Sequence, residues 1–144
     1  MTTIIERRRF ASVDELLADA RSRLERVHPE HAHAETRAGA RLVDIRPIWQ
    51  RLVQGEIPGA LIVERNHLEW RLDPTSPARV AGAVPGQRWL VICAEGYTSS
   101  LAADALCSIG LDATDVIGGY EAWRSAGLPT VTGATPANEV TPYD

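Results

Sequence analysis

The chain has 144 residues, a formal net charge of −4, 44% hydrophobic and 24% charged residues, which is the composition of one soluble globular domain with its own core. All fifteen basic side chains are arginine, so Schiff-base chemistry on a lysine is excluded, and no basic face for nucleic acid is expected. Two cysteines are too few for a disulfide framework.

The sequence shows no stretch with the length and hydrophobicity of a secretory signal or a membrane span. Together with the low cysteine content, this predicts a cytoplasmic protein that binds neither membrane nor nucleic acid.

The sequence of the first half of the chain predicts two helices followed by short strands. Ser12 to Glu15 form a capping box, and apolar residues at 13, 16, 17, 20 and 24 predict an N-terminal helix. Pro29 and Gly39 bound a short second helix over 29–38. A buried strand then begins at residues 42–43 and ends in 44–47, and a turn at 57–59 leads into a second short strand over 60–63.

The second half begins with a loop over 72–87, which is rich in proline and glycine. The apolar run 89–93 predicts a strand covered on both faces. A helix follows from about Ser99 with apolar residues at 101, 102, 105, 106 and 109, then a last strand over 115–117 and a final helix that Gly118-Gly119 opens. This alternation predicts an α/β fold with a mostly parallel central sheet and helices on both faces.

Cys93 stands where a predicted strand ends and a predicted helix begins. Ligands of open α/β sheets collect at this end of the strands. The intervening residues can curl so that backbone N–H groups point at the sulfur. Gly96 has no Cβ and can therefore adopt the backbone conformation that such a curl needs. Thr98 and Ser99 can add hydroxyl donors. Such a cradle stabilises a thiolate and predicts a nucleophile. The alternative is a small buried side chain that ends a strand.

Four segments in order resemble the rhodanese-like family: Arg41-Leu-Val-Asp-Ile-Arg46, Gly55-Glu-Ile-Pro-Gly-Ala60, Cys93-Ala-Glu-Gly-Tyr-Thr-Ser99 and Ile117-Gly-Gly-Tyr-Glu-Ala-Trp123. They are similar to its Asp-x-Arg strand end, its Gly-His-Ile-Pro-Gly-Ala turn, its six-residue active loop and its Gly-Gly-x-x-Ala-Trp helix start. The resemblance implies a single rhodanese-like domain over 25–130, after an N-terminal helical extension (1–24) and before a loosely held tail (131–144).

The resemblance also implies a sulfurtransferase that needs no cofactor and no metal. Cys93 would take the outer sulfur of a small-molecule donor as a persulfide and pass it to a thiol or protein acceptor by double displacement. The substrate would lie among the loop residues Ala94, Glu95, Gly96, Tyr97, Thr98 and Ser99. Asp44 and Arg46 would support the site by fixing nearby loops.

Two departures from the family pattern are informative. Glu56 replaces the usual histidine at what is predicted to be a surface turn, where the change should have little effect. Ala94 and Glu95 occupy loop positions where thiosulfate-using relatives present basic residues, which predicts a preference against a dianionic donor. Arg65 is expected near the mouth of the cradle, either pairing with Glu95 or binding an anionic donor; a plain surface ion pair is the alternative.

Other functions stay open at this point. A rhodanese-like domain can be a non-enzymatic protein-binding or sulfur-sensing module, although the retained Cys93 loop favours an enzyme. The related phosphatases use a longer loop with the pattern Cys-x5-Arg, and this chain has Ser99 six positions after the cysteine.

Two further groups of side chains are tested for chemistry and set aside. Cys107 is expected about 12 Å along the helix axis from its start, too far for a disulfide with Cys93. It falls opposite the apolar stripe of this helix, so it should either face solvent or be covered by the N-terminal helix. His28, His31 and His33 do not share a helix face, so no metal site is predicted.

Overall fold

The computed structural model describes residues 7–133 and 135–137, and within them the chain alternates helices with the strands of one sheet. In chain order the elements are α1 (Val13–Arg21), α2 (Pro29–Arg37), β1 (Arg41–Asp44), α3 (Ile48–Gln54), β2 (Leu61–Ile62), α4 (Leu68–Leu72), β3 (Arg88–Ile92), α5 (Thr98–Ser108), β4 (Asp112–Asp115) and α6 (Gly119–Ser125), with a 3₁₀ turn at Arg65–His67 before α4. The sheet order is β2-β1-β3-β4, and every strand pair is parallel. The predicted α/β class with a parallel central sheet is confirmed.

Helices cover both faces of the sheet because the strand residues alternate between them. In β3, Val91 joins the core beneath α4 and α5, whereas Leu90 joins the core beneath α2 and α6. Each face therefore buries its own apolar cluster, as a sheet flanked by crossover helices requires.

The N-terminal segment is packed against the body of the domain. The capping box is formed, since the Ser12 hydroxyl accepts from the Glu15 N–H at 3.1 Å, and α1 buries Leu17 against α5. The chain then runs along the outer edge of β4, where Val27 makes a parallel bridge to Val116. The boundary predicted after residue 24 stays a prediction, and residues 1–6 lie outside the described residues.

The structure corrects several local predictions. The last strand occupies Asp112–Asp115, three residues earlier than predicted. The sequence pattern missed it because Thr114 and Asp115 are polar and yet buried. The helices α3 and α4 were not predicted. The buried face of α5 is centred on Ala102, Ala103 and Leu106, so the predicted stripe was rotated and Ile109 is exposed.

Glu56 is buried, so its prediction as a surface position was wrong. Its carboxylate pairs with the buried Arg51 of α3 and accepts from the backbone and the hydroxyl of Thr135, while its backbone bridges Val131. These bonds hold the start of the C-terminal segment against the domain. Residues 138–144 lie outside the described residues, and the loosely held tail stays a prediction.

None of the helices in the described part of the chain is long and apolar enough to cross a membrane.

Candidate active site

Cys93 follows β3 directly, and two backbone amides bind its sulfur. The N–H groups of Gly96 and Ser99 donate to Cys93 Sγ at 3.2 and 3.4 Å. The side chain is only 5% exposed and lies at the base of a cleft of about 360 Å³. The cleft is lined by Ile45, Arg46, Pro47, Gln50, Gln54, Cys93, Ala94, Glu95, Tyr97 and Thr98. The predicted curl of the loop around the sulfur is present.

The start of α6 binds the first two carbonyls of the loop. The Tyr120 N–H donates to the Cys93 carbonyl at 2.8 Å, and the Glu121 N–H donates to the Ala94 carbonyl at 3.0 Å. The N–H and C=O of a trans peptide point in opposite directions, so these bonds turn the next amides away from α6. A Cβ at Gly119 would lie 2.5 Å from the Cys93 carbonyl oxygen, which explains the glycine at this position.

Gly96 allows the loop to turn back toward the sulfur. Its φ of +87° lies in the left-handed region, and a Cβ would come within 2.8 Å of the Gly118 nitrogen. No other residue type fits this position without moving the loop or α6.

Asp115 lies beneath the loop and fixes the first turn of α5. Its Oδ2 accepts from the Ser99 and Ser100 hydroxyls at 2.7 and 2.8 Å, and Arg26 pairs with the same carboxylate. Ser99 therefore contributes its backbone N–H to the sulfur, while its hydroxyl is committed to Asp115. Thr98 is exposed and lines the cleft.

Asp44 and Arg46 form a buried pair beside the cleft. The Arg46 guanidinium donates to both carboxylate oxygens of Asp44, to Gln54 Oε1 and to the Gly55 carbonyl. It also lies 4.0 Å from the centroid of the Tyr120 ring. These contacts join β1, the end of α3 and the start of α6. The supporting role predicted for Asp44 and Arg46 stays a prediction.

The structure brings Glu95 and Tyr97 to the cleft, where both side chains are exposed. Arg65 does not line the cleft. It pairs with Glu69 at 2.9 Å, not with Glu95, in an ion pair within one helical segment. Binding of a donor by Arg65 stays a prediction that no contact described here supports.

Sequence reasoning missed the polar groups that hold the loop from below, namely Arg21, Arg26, Ser100 and Asp115. Asp115 could have been found, because it ends a strand at the same edge of the sheet as Cys93. The misplaced last strand hid this relation. The arginines carry no local signal, since they reach the loop from 75 and 70 residues away.

Cys107 is half-buried against the core that α5 shares with β4, and it donates to the Ala113 carbonyl at 3.2 Å. Its prediction on the side opposite the buried stripe was therefore wrong. Burial raises the pKa of the Cys107 thiol. Cys93 and Cys107 are both free thiols.

The histidines of the second helix region have other contacts. His31 lies 3.3 Å from a carboxylate oxygen of Glu35, and the His33 ring meets Trp123 edge-on. Among residues 7–133 and 135–137, no group of three or more His, Cys, Asp or Glu side chains could hold a metal ion.

Fold and site together define an α/β protein whose cysteine is held in a backbone cradle at the carboxyl edge of a parallel sheet. The chain belongs to the rhodanese-like family, because the model of the rhodanese-like domain matches residues 8–126. That match includes α1.

One curated protein and two solved structures are similar to this chain. It is 33% identical over 100 residues to thiosulfate sulfurtransferase GlpE of Stutzerimonas stutzeri strain A1501, over 69% of this chain and 84% of that protein. A protein of unknown function from Rhodopseudomonas palustris, described as a possible tyrosine phosphatase, superposes with a TM-score of 0.76 at 30% identity, over 90% and 98% of the two chains. A rhodanese-related protein from Thermoplasma volcanium shares the fold at 23% identity and a TM-score of 0.61, over 75% and 98%.

Proposed function

We propose that this protein is a sulfurtransferase that carries a sulfane sulfur on Cys93 as a persulfide. The observation that carries the proposal is the position of Cys93 Sγ, which accepts from two backbone N–H groups at the base of an open cleft. These amides and the start of α5 stabilise negative charge on the sulfur. The relationship to a thiosulfate sulfurtransferase supports the same chemistry.

The reaction takes two displacements. With thiosulfate as donor, the Cys93 thiolate attacks the outer sulfur; an S–S bond forms to Cys93, the bond to the sulfonate sulfur breaks, and sulfite leaves with the electron pair. A second nucleophile then attacks the outer sulfur of the Cys93 persulfide and regenerates the thiolate. With cyanide as acceptor the product is thiocyanate. The Cys93 persulfide is the covalent intermediate between the two steps, so ping-pong kinetics are expected.

The cleft suggests which partners the enzyme takes. Its two glutamines, Gln50 and Gln54, and the exposed Glu95 and Thr98 make its mouth polar without a free arginine, since Arg46 is bound to Asp44. A neutral or singly charged sulfur donor fits this mouth better than a dianion. In a cell, the acceptor would be a small thiol or a cysteine of another protein, in keeping with a cytoplasmic location.

A phosphatase is the second candidate, because one relative is described as a possible tyrosine phosphatase. The loop does not favour it. A cysteine-dependent phosphatase of this kind needs an arginine six residues after the cysteine to clamp phosphate, and that position holds Ser99, whose hydroxyl bonds to Asp115.

The test compares Cys93→Ser with Cys107→Ser. The first should abolish thiocyanate formation without changing the unfolding transition, while the second should keep most of the activity. Intact-mass measurement after donor treatment should show the gain of one sulfur atom on wild type and on Cys107→Ser, and no gain on Cys93→Ser. A wild-type protein that gains no sulfur from thiosulfate, thiosulfonates, glutathione persulfide or 3-mercaptopyruvate would favour a binding module instead. Hydrolysis of an aryl phosphate that depends on Cys93 would favour the phosphatase.

A further inference from the structure

The carbonyl of Gly96, in the middle of the active loop, is held by two arginines from the N-terminal segment. Arg21 Nη2 donates to it at 2.7 Å and Arg26 Nη2 at 3.0 Å. We propose that Arg21 and Arg26 are positioning residues that hold the loop in the form that binds an anionic sulfur. This inference rests on the proposed sulfurtransferase function and deepens it, because it places α1 and the segment after it within the apparatus of the site.

Gly96 is held from both sides. Its N–H donates to Cys93 Sγ at 3.2 Å while its carbonyl accepts from the arginines. The following peptide is trans, so a carbonyl drawn toward the arginines points the Tyr97 N–H the opposite way. Glycine at a φ of +87° has little intrinsic preference for this state over others. The arginines select it, and they prevent the carbonyl from turning its negative end toward a thiolate or persulfide.

The two arginines contribute differently. Arg26 is neutralised by Asp115, with contacts of 2.9 and 3.2 Å, and this pair anchors the base of the loop. Arg21 has no carboxylate within ion-pair distance in the described parts of the chain. Its Nε bonds to the Ser100 hydroxyl at 3.0 Å, and its guanidinium lies 5.7 Å from the centroid of the Tyr97 ring. Arg21 therefore brings to the Gly96 carbonyl a positive charge that no carboxylate of the described residues pairs with.

Arg23 provides a matched control. It is in the same segment and connects this segment to the same helix, α5, through Asp104 at 2.9 and 2.8 Å. It also donates to Asp19 of α1 at 2.7 Å. None of its contacts involves the loop. Replacing Arg23 thus removes a link between the N-terminal segment and α5, as replacing Arg21 does, but leaves the Gly96 carbonyl clamped.

The experiment uses the full chain with Cys107→Ser, so that one thiol reports. Arg21→Gln, Arg21→Lys and Arg23→Gln are compared by the rate of Cys93 alkylation with iodoacetamide at neutral pH and by the single-turnover rate of sulfite release from thiosulfate. Arg21→Gln should lower both rates about tenfold, the size of effect of one charge-assisted hydrogen bond. Arg21→Lys keeps the charge but loses the two-nitrogen contact, so it should fall between Arg21→Gln and wild type. Arg23→Gln should match wild type.

Thermal unfolding of each variant separates this effect from a loss of fold, and Arg21→Lys provides the test if Arg21→Gln does not fold. Wild-type rates in a folded Arg21→Gln would overturn the proposal. Equal losses in Arg21→Gln and Arg23→Gln would also overturn it, because they would show general loosening of α1. If wild type gains no sulfur from thiosulfate, thiosulfonates, glutathione persulfide or 3-mercaptopyruvate while alkylation slows only in the Arg21 variants, the sulfurtransferase function fails and the positioning role stands.

Discussion

Replacing Gly96 by alanine tests whether the cradle depends on close contact between the active loop and α6. At a φ of +87°, an L side chain costs about 1–2 kcal/mol of backbone strain. The added Cβ would also lie 2.8 Å from the Gly118 nitrogen and 3.3 Å from Arg26 Nη2. The first neighbour is backbone and cannot move alone, so either the loop or α6 must shift.

Overpacking of this kind typically costs about 1–3 kcal/mol, so the total loss for Gly96→Ala should be about 2–5 kcal/mol. A domain of this size has a stability of about 5–15 kcal/mol, and the variant should therefore still fold. Its sulfur transfer should fall much further than its stability suggests, because the N–H of residue 96 would no longer be aligned with Cys93 Sγ.

Gly110→Ala is the matched control. Gly110 has a φ of +84°, nearly the same backbone conformation, but nothing lies within 4 Å of the position its Cβ would take. This variant should lose only the strain of about 1–2 kcal/mol and keep full activity. Urea unfolding gives the free energy of unfolding of both variants, and cyanide-dependent thiocyanate formation gives their activity. Equal stability losses in the two variants, with activity retained in both, would refute the argument.

Three further predictions concern single charged or thiol groups. Glu95→Gln should raise kcat/KM for thiosulfate roughly fivefold and change a neutral donor less, since like charges about 4 Å apart in water repel by about 1 kcal/mol; an equal change for both donors would contradict this. For Glu56, burial alone would raise the pKa, but hydrogen bonds from Thr135 and Arg51 lower it below the usual 4.5. Urea unfolding should therefore show that the protein with Glu56 is more stable than Glu56→Gln by an amount that is constant near neutral pH and declines as the pH falls below about 4.5. A stability difference that does not change with pH down to acid unfolding would count against the ion pair. Because burial raises the pKa of Cys107, its alkylation in Cys93→Ser should become fast only above pH 9.0, and rapid labelling near neutral pH would refute the buried position.

The sequence predicted the elements whose side chains follow an apolar pattern. The run Trp89 to Ile92 became the central strand β3, and the curl from Cys93 to Ser99 followed from a cysteine and a glycine at a strand end. These features depend on local signals: hydrophobic residues in a strand, a glycine at positive φ, and a helix that begins next.

The parts that the sequence pattern missed depend on polar groups satisfied by distant partners. In β4, Asp115 is buried because Arg26, Ser99 and Ser100 bond to it, so its burial leaves no apolar signal. Helix α3 likewise reverses the usual pattern, in which apolar side chains are buried and charged ones exposed. Arg51 is buried against Glu56, while Trp49 and Val53 are exposed.

The contacts beneath the active loop span most of the chain, and this has a consequence for folding. Arg21 meets Gly96 across 75 positions, and Arg26 meets Asp115 across 89. Contacts so distant in sequence form late, because closing long loops costs entropy before the contacts compensate for it. During synthesis, a chain that has emerged only through Cys93 lacks Asp115 and the start of α6. Its thiol is present before its cradle exists, and the reactivity that we propose for Cys93 would arise only when the last strand has been made and docked.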